Sequence, residues 1–181
     1  VPPDINEGEG GFSVSGGSIR YGLSAIKSIG QSVVEEIVKE RRERGEFKTL
    51  EDFVDRMSSK EVNKRTLESF IKSGAMDSLP GTRKQKFLVS AQLLDQKNKE
   101  KKNSMEGQMT MFDFVAEEEK ENFQVTFPNV GEYTKDELLY FEKEMLGVYI
   151  SGHPMEAYIG LWEKNVTART SDFIVDEETG E

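Results

Sequence analysis

The sequence predicts a mainly α-helical protein, on three observations. From Leu23 to Leu94, apolar residues recur at the three- and four-residue spacing that places side chains on one face of a helix. Turns that contain glycine separate the successive helical stretches. Thr82 and Thr134 each begin a Thr-x-x-Gln/Glu pattern, the capping box that opens many helices. We therefore expect a compact α domain, with a further helical segment after it.

A small N-terminal β-hairpin is expected before the helices. Phe12-Ser13-Val14 and Ile19-Arg20-Tyr21 alternate apolar and polar residues on either side of Ser15-Gly16-Gly17-Ser18. Such alternation around a glycine-containing turn is typical of two paired strands.

Five helical segments are expected between residues 22 and 94. The helix after the first glycine turn should end at Gly45, because glycine is favoured just past a helix C-terminus. Thr49 and Asn63 are expected to cap the N-termini of the next two helices. The residues expected to face the core are Val33, Val34, Ile37, Val38, Leu50, Phe53, Val54, Met57, Leu67, Phe70, Ile71, Phe87, Leu88, Ala91 and Leu94.

The helical spacing is lost after Leu94. Residues 95–131 are mostly polar and charged, and we expect them to form an extended, solvated linker. Residues 132–165 are expected to form a C-terminal helical segment, interrupted by the break Ser151-Gly152-His153-Pro154. Its expected inward-facing residues are Leu138, Leu139, Phe141, Met145 and Leu146.

The charge is unevenly distributed along the chain. The net charge is −10, yet residues 19–102 carry 19 Lys and Arg against 13 Asp and Glu. Residues 103–181 carry 5 against 18. Only the first block is therefore basic enough to face a polyanion such as nucleic acid.

The composition excludes several kinds of site. There is no cysteine, which excludes disulfides and thiolate metal sites and agrees with a reducing, cytoplasmic location. No apolar run approaches the ~20 residues of a membrane span, so no membrane partner is expected. Because the chain begins at Val1 without a visible signal peptide, we expect a segment excised from a longer protein.

The tripeptide Ile-Lys-Ser occurs at residues 26–28 and again at 71–73, each time in a predicted turn between helices. The first N–H groups of a helix lack intrahelical partners and lie at the positive end of its dipole, so a phosphate oxygen is a suitable acceptor for them. Two such turns can hold both strands of double-stranded DNA across a minor groove without reading the bases. The predicted phosphate-binding residues are Lys27, Ser28, Ile29, Gly30, Gln31, Ser32, Lys72, Ser73, Gly74, Ala75, Arg83 and Lys84, with Ile29 turned inward to fix the turn.

A plain antiparallel pair of helices with an ordinary glycine turn would explain each turn separately. In that case the protein would be a helical protein–protein scaffold with no role in nucleic-acid binding. The repeat of the same tripeptide inside the basic block favours the DNA-binding interpretation.

Six blocks of the sequence resemble, in the same order, the C-family replicative DNA polymerases of bacteria, the DNA polymerase III alpha subunits. The blocks are PDIN (3–6), IRYGLSAIKSIG (19–30), FKTLEDF (47–53), NKRTLE (63–68), SGAMD (73–77) and LGVYISGHP (146–154). In this family the first turn usually reads Gly-x-Gly, whereas Ser28 stands at the first glycine here.

The resemblance implies a tandem helix-hairpin-helix domain at residues 22–94. It also implies that residues 1–21 end a fingers domain and that residues 166–181 begin an oligonucleotide-binding (OB) barrel. The parent protein would be a DNA-directed DNA polymerase with Mg²⁺ in its active site and other replisome subunits as partners.

Residues Gln108-Met109-Thr110-Met111-Phe112 form an apolar island between two polar runs. Apolar side chains can anchor such a segment in a preformed pocket, while the glutamine amide fixes its register by hydrogen bonding. The pentapeptide resembles the Gln-x-x-Leu-Phe motif with which the family binds the β sliding clamp, with Met111 conserving the volume of leucine. The alternative is that Met111, Phe112 and Phe114 fold back onto the helical domain.

No catalytic residue, cofactor or metal site is expected in this chain. A polymerase active site needs clustered carboxylates that hold two metal ions, and the acidic residues here are spread over predicted helix surfaces and the linker. His153 has no histidine or cysteine companion and is expected to be a turn residue. A helix-hairpin-helix module of a DNA repair enzyme is a further alternative, against which residues 108–112 and the Ser-Gly-His-Pro block argue.

Overall fold

In the computed structural model, residues 1–57, 62–105 and 126–169 are described, and most of them are helical. The chain divides into two compact units, one up to Ser151 and one from Gly152 onward. The mainly α fold that the sequence predicts is confirmed. The elements of the first unit are β1 (Ser13–Ser15), β2 (Ser18–Arg20), a 3-10 helix (Leu23–Ala25), α1 (Gln31–Arg44), α2 (Leu50–Met57), α3 (Lys64–Lys72), α4 (Arg83–Met105) and α5 (Lys135–Leu146). The second unit contains a 3-10 helix (Pro154–Tyr158) and α6 (Ile159–Asn165).

The predicted hairpin is present. Strands β1 and β2 pair antiparallel, with Val14 opposite Ile19. Gly16 and Gly17 connect them with φ of 56° and 80°, which matches a two-residue turn with positive φ at both central positions.

The predicted caps of α1, α2 and α3 are confirmed. Gly45 ends α1 with φ of 80° and donates its N–H to the carbonyl of Arg41 at 2.9 Å. The Thr49 hydroxyl accepts from the N–H of Asp52 at 3.1 Å, and the Asn63 side chain accepts from the N–H of Thr66 at 3.0 Å. Each cap pairs a backbone group that a helix end leaves without an intrahelical partner.

The N-terminal residues pack onto the helical core. Ile5 is fully buried, and its N–H donates to the carbonyl of Ala75 at 2.9 Å. The Asn6 side chain pairs with both backbone groups of Phe47, at 2.8 and 2.9 Å. The expected boundary at residue 21 is therefore not a structural one, because residues 1–21 share one unit and one core with the helices after them.

Helix α4 differs from its prediction in length and in its buried face. It continues to Met105, so residues 95–105 are helical and not a linker; their Gln, Lys and Glu side chains favour helix, and no Gly or Pro interrupts them. Leu88 is 52% exposed, whereas Lys86 is 1% exposed and donates from Nζ to the Met76 carbonyl at 2.6 Å. Burial lowers the pKa of Lys86. A lysine in a core position does not contribute to the spacing of apolar residues, so that spacing predicted the wrong buried face for α4.

Helix α5 belongs to the same unit as α1–α4 and packs against α3. The expected separate segment that starts at residue 132 is therefore part of the helical domain up to Ser151. The capping box of Thr134 and Glu137 is confirmed, but Leu138 and Phe141 are only half-buried. In the second unit, His153 caps the 3-10 helix by accepting from the N–H of Met155 at 3.1 Å, as expected of a turn residue.

Gly74 and Gly147 offer a matched test of the packing around Arg83. Their φ values are 81° and 75°, but a Cβ on Gly74 would lie 2.8 Å from Cζ of Arg83, whereas Gly147 has open space. Gly147→Ala should lower the free energy of unfolding by about 1 kcal/mol, the cost of left-handed backbone. Gly74→Ala should cost about 2–4 kcal/mol, because the buried guanidinium must also move. Urea unfolding measures both, and equal losses would show that Arg83 shifts without cost.

Candidate nucleic-acid interface

The first turn, residues 27–30, lies at the surface between the 3-10 helix and α1. Lys27, Ser28 and Gly30 are exposed. Ile29 is half-buried and packs against the core, as predicted. Ser28 has φ of 68°, a left-handed conformation that favours glycine.

Helix α1 begins at this turn without a side-chain cap. Its N-cap residue, Gly30, has extended backbone and no side-chain hydrogen bond to the helix, and the first helical turn contains no acidic residue. Gln31 and Ser32 are exposed. The Gln31 side chain accepts from the Ser24 hydroxyl at 2.8 Å and donates to Glu35 at 3.1 Å, to one side of the helix end. The positive end of the α1 dipole therefore faces solvent with small residues in front of it.

The second turn, residues 72–75, is closed. Ser73 and Ala75 are fully buried. The N–H groups of Ser73 and Gly74 donate to the carbonyls of Ser69 and Ile71, at 3.0 and 3.2 Å. The prediction that Ser73, Gly74 and Ala75 offer free amides to phosphate is therefore wrong: the N–H groups of Ser73 and Gly74 are already paired, and all three residues lie inside the core.

Arg83 lies beneath the second turn and does not face solvent. Its guanidinium donates to Asp77 at 2.6–3.0 Å and to the Lys72 carbonyl at 3.4 Å, and it lies 3.8 Å from Glu142. Burial alone would lower the pKa of Arg83, but the Asp77 hydrogen bond and the surrounding carboxylates raise it above its ordinary value. The prediction of Arg83 as a phosphate ligand is wrong, because its charge is already paired in the interior.

The N-terminus of α4 is also occupied by the protein itself. Thr82 and Gln85 form the predicted capping box, at 3.0 and 3.2 Å. The Glu132 carboxylate accepts from the N–H groups of Arg83 and Lys84, at 2.8 and 3.1 Å. No sequence pattern indicates this role of Glu132, since it is distant along the chain and follows the polar stretch.

Two lysines of the predicted site lie over aromatic rings. The Nζ of Lys84 is 5.5 Å from the ring centroid of Tyr133. The Nζ of Lys72 is 5.6 Å from that of Phe87 and 5.4 Å from that of Phe141. These contacts hold both ammonium groups close to the protein surface.

The Ile-Lys-Ser repeat is a repeat of sequence and not of structure. Residues 26–28 precede α1, and Ser28 is left-handed with φ of 68°. Residues 71–73 end α3, and Ser73 is right-handed helical with φ of −71°. The left-handed position of the second turn is Gly74, one residue later. The residue after the tripeptide, Ile29 in one copy and Gly74 in the other, is the sequence signal that separates them.

The remaining predictions concern the clamp-binding pentapeptide, metal ligands and membrane-spanning helices. Gln108, Met109, Thr110, Met111 and Phe112 lie outside the described residues. Within the described ranges, no group of three or more His, Asp or Glu side chains is placed to hold a metal ion. None of the described helices is long and apolar enough to cross a membrane.

A family of known proteins matches the N-terminal part of the chain. Residues 1–86 match the family described as a helix-hairpin-helix motif. This range contains both turns and the start of α4.

Comparison of the whole sequence finds relatives that are named DNA polymerase III alpha subunits. The subunit of Borreliella burgdorferi is 40% identical over 87% of this chain, that of Deinococcus radiodurans 39% over 95%, and that of Haemophilus influenzae 37% over 95%. The chain spans 13–15% of the length of these relatives. It therefore fits a segment of a DNA polymerase III alpha subunit, and the resemblance predicted from the sequence is confirmed.

The left-handed backbone at Ser28 predicts that Ser28→Gly stabilises the protein. Glycine removes a strain of about 1–2 kcal/mol but adds about 0.5–1 kcal/mol of unfolded-state entropy, so the net gain should be up to about 1 kcal/mol. The control, Ser32→Gly, lies in the helical first turn of α1 and should destabilise by about 0.5–1 kcal/mol. Thermal unfolding measures both changes. A loss of stability in Ser28→Gly would contradict the claim that the backbone at Ser28 is strained.

Proposed function

We propose that this chain is the part of a replicative DNA polymerase alpha subunit that holds duplex DNA by its phosphates. The observation that carries the proposal is the exposed N-terminus of α1 behind Gly30, an N-cap residue without a side chain, within the range that matches the helix-hairpin-helix motif. A phosphate oxygen can accept from the first N–H groups of the helix and is attracted by its dipole. Lys27, exposed beside the turn, adds a positive charge.

The proposed grip uses one open turn and not a symmetric pair. In the second turn, the N–H groups of Ser73 and Gly74 are paired internally, and Glu132 occupies the helix end that follows it. Its role in this proposal is to hold the helices that present the first turn. Because phosphate contacts carry no base information, binding should be independent of sequence.

Gly30→Asp should change the stability of the protein and its affinity for duplex DNA in opposite directions. An aspartate N-cap should accept from the helix N–H groups and raise the free energy of unfolding by a few tenths to about 1 kcal/mol. Its Cβ fits, since the nearest atom would be the Ser32 hydroxyl oxygen at 3.7 Å. The carboxylate would take the place proposed for phosphate and repel it, so duplex affinity should fall about tenfold. Fluorescence anisotropy with a duplex of arbitrary sequence measures the affinity.

Gly30→Asn is the matched control, because it caps the helix without a charge. It should stabilise the protein to a similar degree and lose less affinity than Gly30→Asp. The wild-type affinity should also fall with salt, with a log–log slope of about −0.9 per phosphate neutralised. Equal affinity for all three proteins would contradict the proposed site, and absence of salt-dependent binding would favour the helical scaffold.

We further propose that residues 108–112 tether the polymerase to the β sliding clamp. The support is the Gln-x-x-Met-Phe pattern, together with the similarity to DNA polymerase III alpha subunits. Helices α4 and α5, which flank residues 106–125, belong to one compact unit. Clamp binding would therefore act on the same body that holds DNA.

The clamp proposal predicts that Gln108→Ala combined with Phe112→Ala abolishes binding to the β clamp and leaves duplex affinity unchanged. The two side chains supply the amide and the apolar anchor, and neither lies in the first turn. Surface plasmon resonance on immobilised clamp measures the binding. The control, Met109→Ala, changes an unspecified position of the pattern and should keep clamp affinity. Unchanged clamp binding in the double variant would reject the assignment.

The parent protein is proposed to be a cytoplasmic DNA-directed DNA polymerase that works with other replisome subunits. Mg²⁺ would belong to its active site, and no metal-dependent step is assigned to the residues of this chain.

A further inference from the structure

The C-terminus of α5 accepts two hydrogen bonds, one from the first turn and one from Tyr21, which precedes it. The N–H of Lys27 donates to the carbonyl of Met145 at 2.9 Å. The Tyr21 hydroxyl donates to the carbonyl of Leu146 at 2.7 Å. The last carbonyls of a helix have no intrahelical partner, so these donors complete the helix end and fix the turn to it.

The end of α5 is a firm support. Met145 and Leu146 are buried in the common core. Glu142, 1% exposed, accepts from the N–H groups of Ile150 and Ser151, both at 3.0 Å, and so fixes the chain that leaves the helix. Gly147 closes the helix with left-handed backbone and an N–H bond to the Lys143 carbonyl at 3.1 Å.

The backbone of the first turn is strained, so it needs contacts that hold it in place. Ser28, the residue after Lys27, is held in a left-handed conformation that costs a non-glycine residue about 1–2 kcal/mol. Strained backbone persists only where the surrounding contacts over-determine it. The bond from Lys27 to Met145 is next to the strained residue, and Tyr21 bonds the adjacent carbonyl.

We propose that α5 is the positioning element of the DNA-binding turn and that Tyr21 is its positioning residue. Tyr21 does not contact DNA in this proposal; its hydroxyl holds the end of α5 where Met145 can accept from Lys27. The first turn, before α1, is thereby set by a helix more than a hundred residues further along the chain. This inference rests on the proposed function of the turn.

Tyr21→Phe tests the proposal with a minimal change. The phenylalanine keeps the ring and its edge-to-face contact with Phe12, 4.8 Å between centroids, and removes only the hydroxyl. Tyr140→Phe is the matched control, since Tyr140 lies on α5 with its side chain 64% exposed. The measurements are duplex affinity at several salt concentrations and ¹H–¹⁵N spectra of the free 181-residue chain.

In Tyr21→Phe, duplex affinity should fall about fivefold, the factor that corresponds to one net hydrogen bond. The slope of affinity against salt should stay that of the wild type, because the number of phosphates contacted does not change. The amide signals of Ser28, Gly30 and Gln31 should shift or broaden. Tyr140→Phe should match the wild type in all three measurements.

Three results would overturn the proposal. They are wild-type affinity in Tyr21→Phe, a reduced salt slope, which would mean that fewer phosphates are neutralised, and unshifted amide signals of the first turn. The spectra keep the test independent of the proposed function. If the wild-type chain fails to bind DNA, the amide signals of the first turn in Tyr21→Phe still decide whether α5 positions that turn.

Discussion

The buried guanidinium of Arg83 is the interaction on which the arrangement of this domain depends. A buried cation costs free energy unless carboxylates and carbonyls surround it. Three groups meet that requirement: Asp77 after the second turn, Glu142 on α5 and the carbonyl of Lys72 at the end of α3. One side chain therefore joins α4 to three parts of the fold, and it brings a helix that follows residues 106–125 into the same core as the helices before them.

The same interaction makes the two turns unequal. In the second turn, the N–H groups of Ser73 and Gly74 are paired within the protein, Arg83 donates to the Lys72 carbonyl, and Glu132 occupies the next helix end. The first turn is held from behind, through Ile29 and through the bond from Lys27 to Met145. Its outer side, at Gly30, is exposed to solvent. In the proposed function, a structural turn and a DNA-binding turn share one core, and their different roles follow from which backbone groups already have hydrogen-bond partners within the fold.

The sequence alone was sufficient to predict those features that depend on residues close together in the chain. The hairpin and the caps at Asn63 and Thr134 were predicted because their partners lie within a few residues. The second turn was mispredicted because one tripeptide can adopt two backbone conformations, and the choice depends on the next residue and on distant contacts. Buried charges such as Lys86 and Glu142 resemble surface residues in the sequence, and their partners become apparent only when α4 and α5 are packed.

The central claim, that the first turn is open to phosphate and the second is closed, is tested most directly by chemical-shift mapping. Duplex DNA would be titrated into the ¹⁵N-labelled chain while the backbone amide signals are followed. The account predicts the largest shifts at residues 28–33, with the signals of Ser73, Gly74 and Ala75 little changed. Shifts at the second turn as large as those at the first would contradict it.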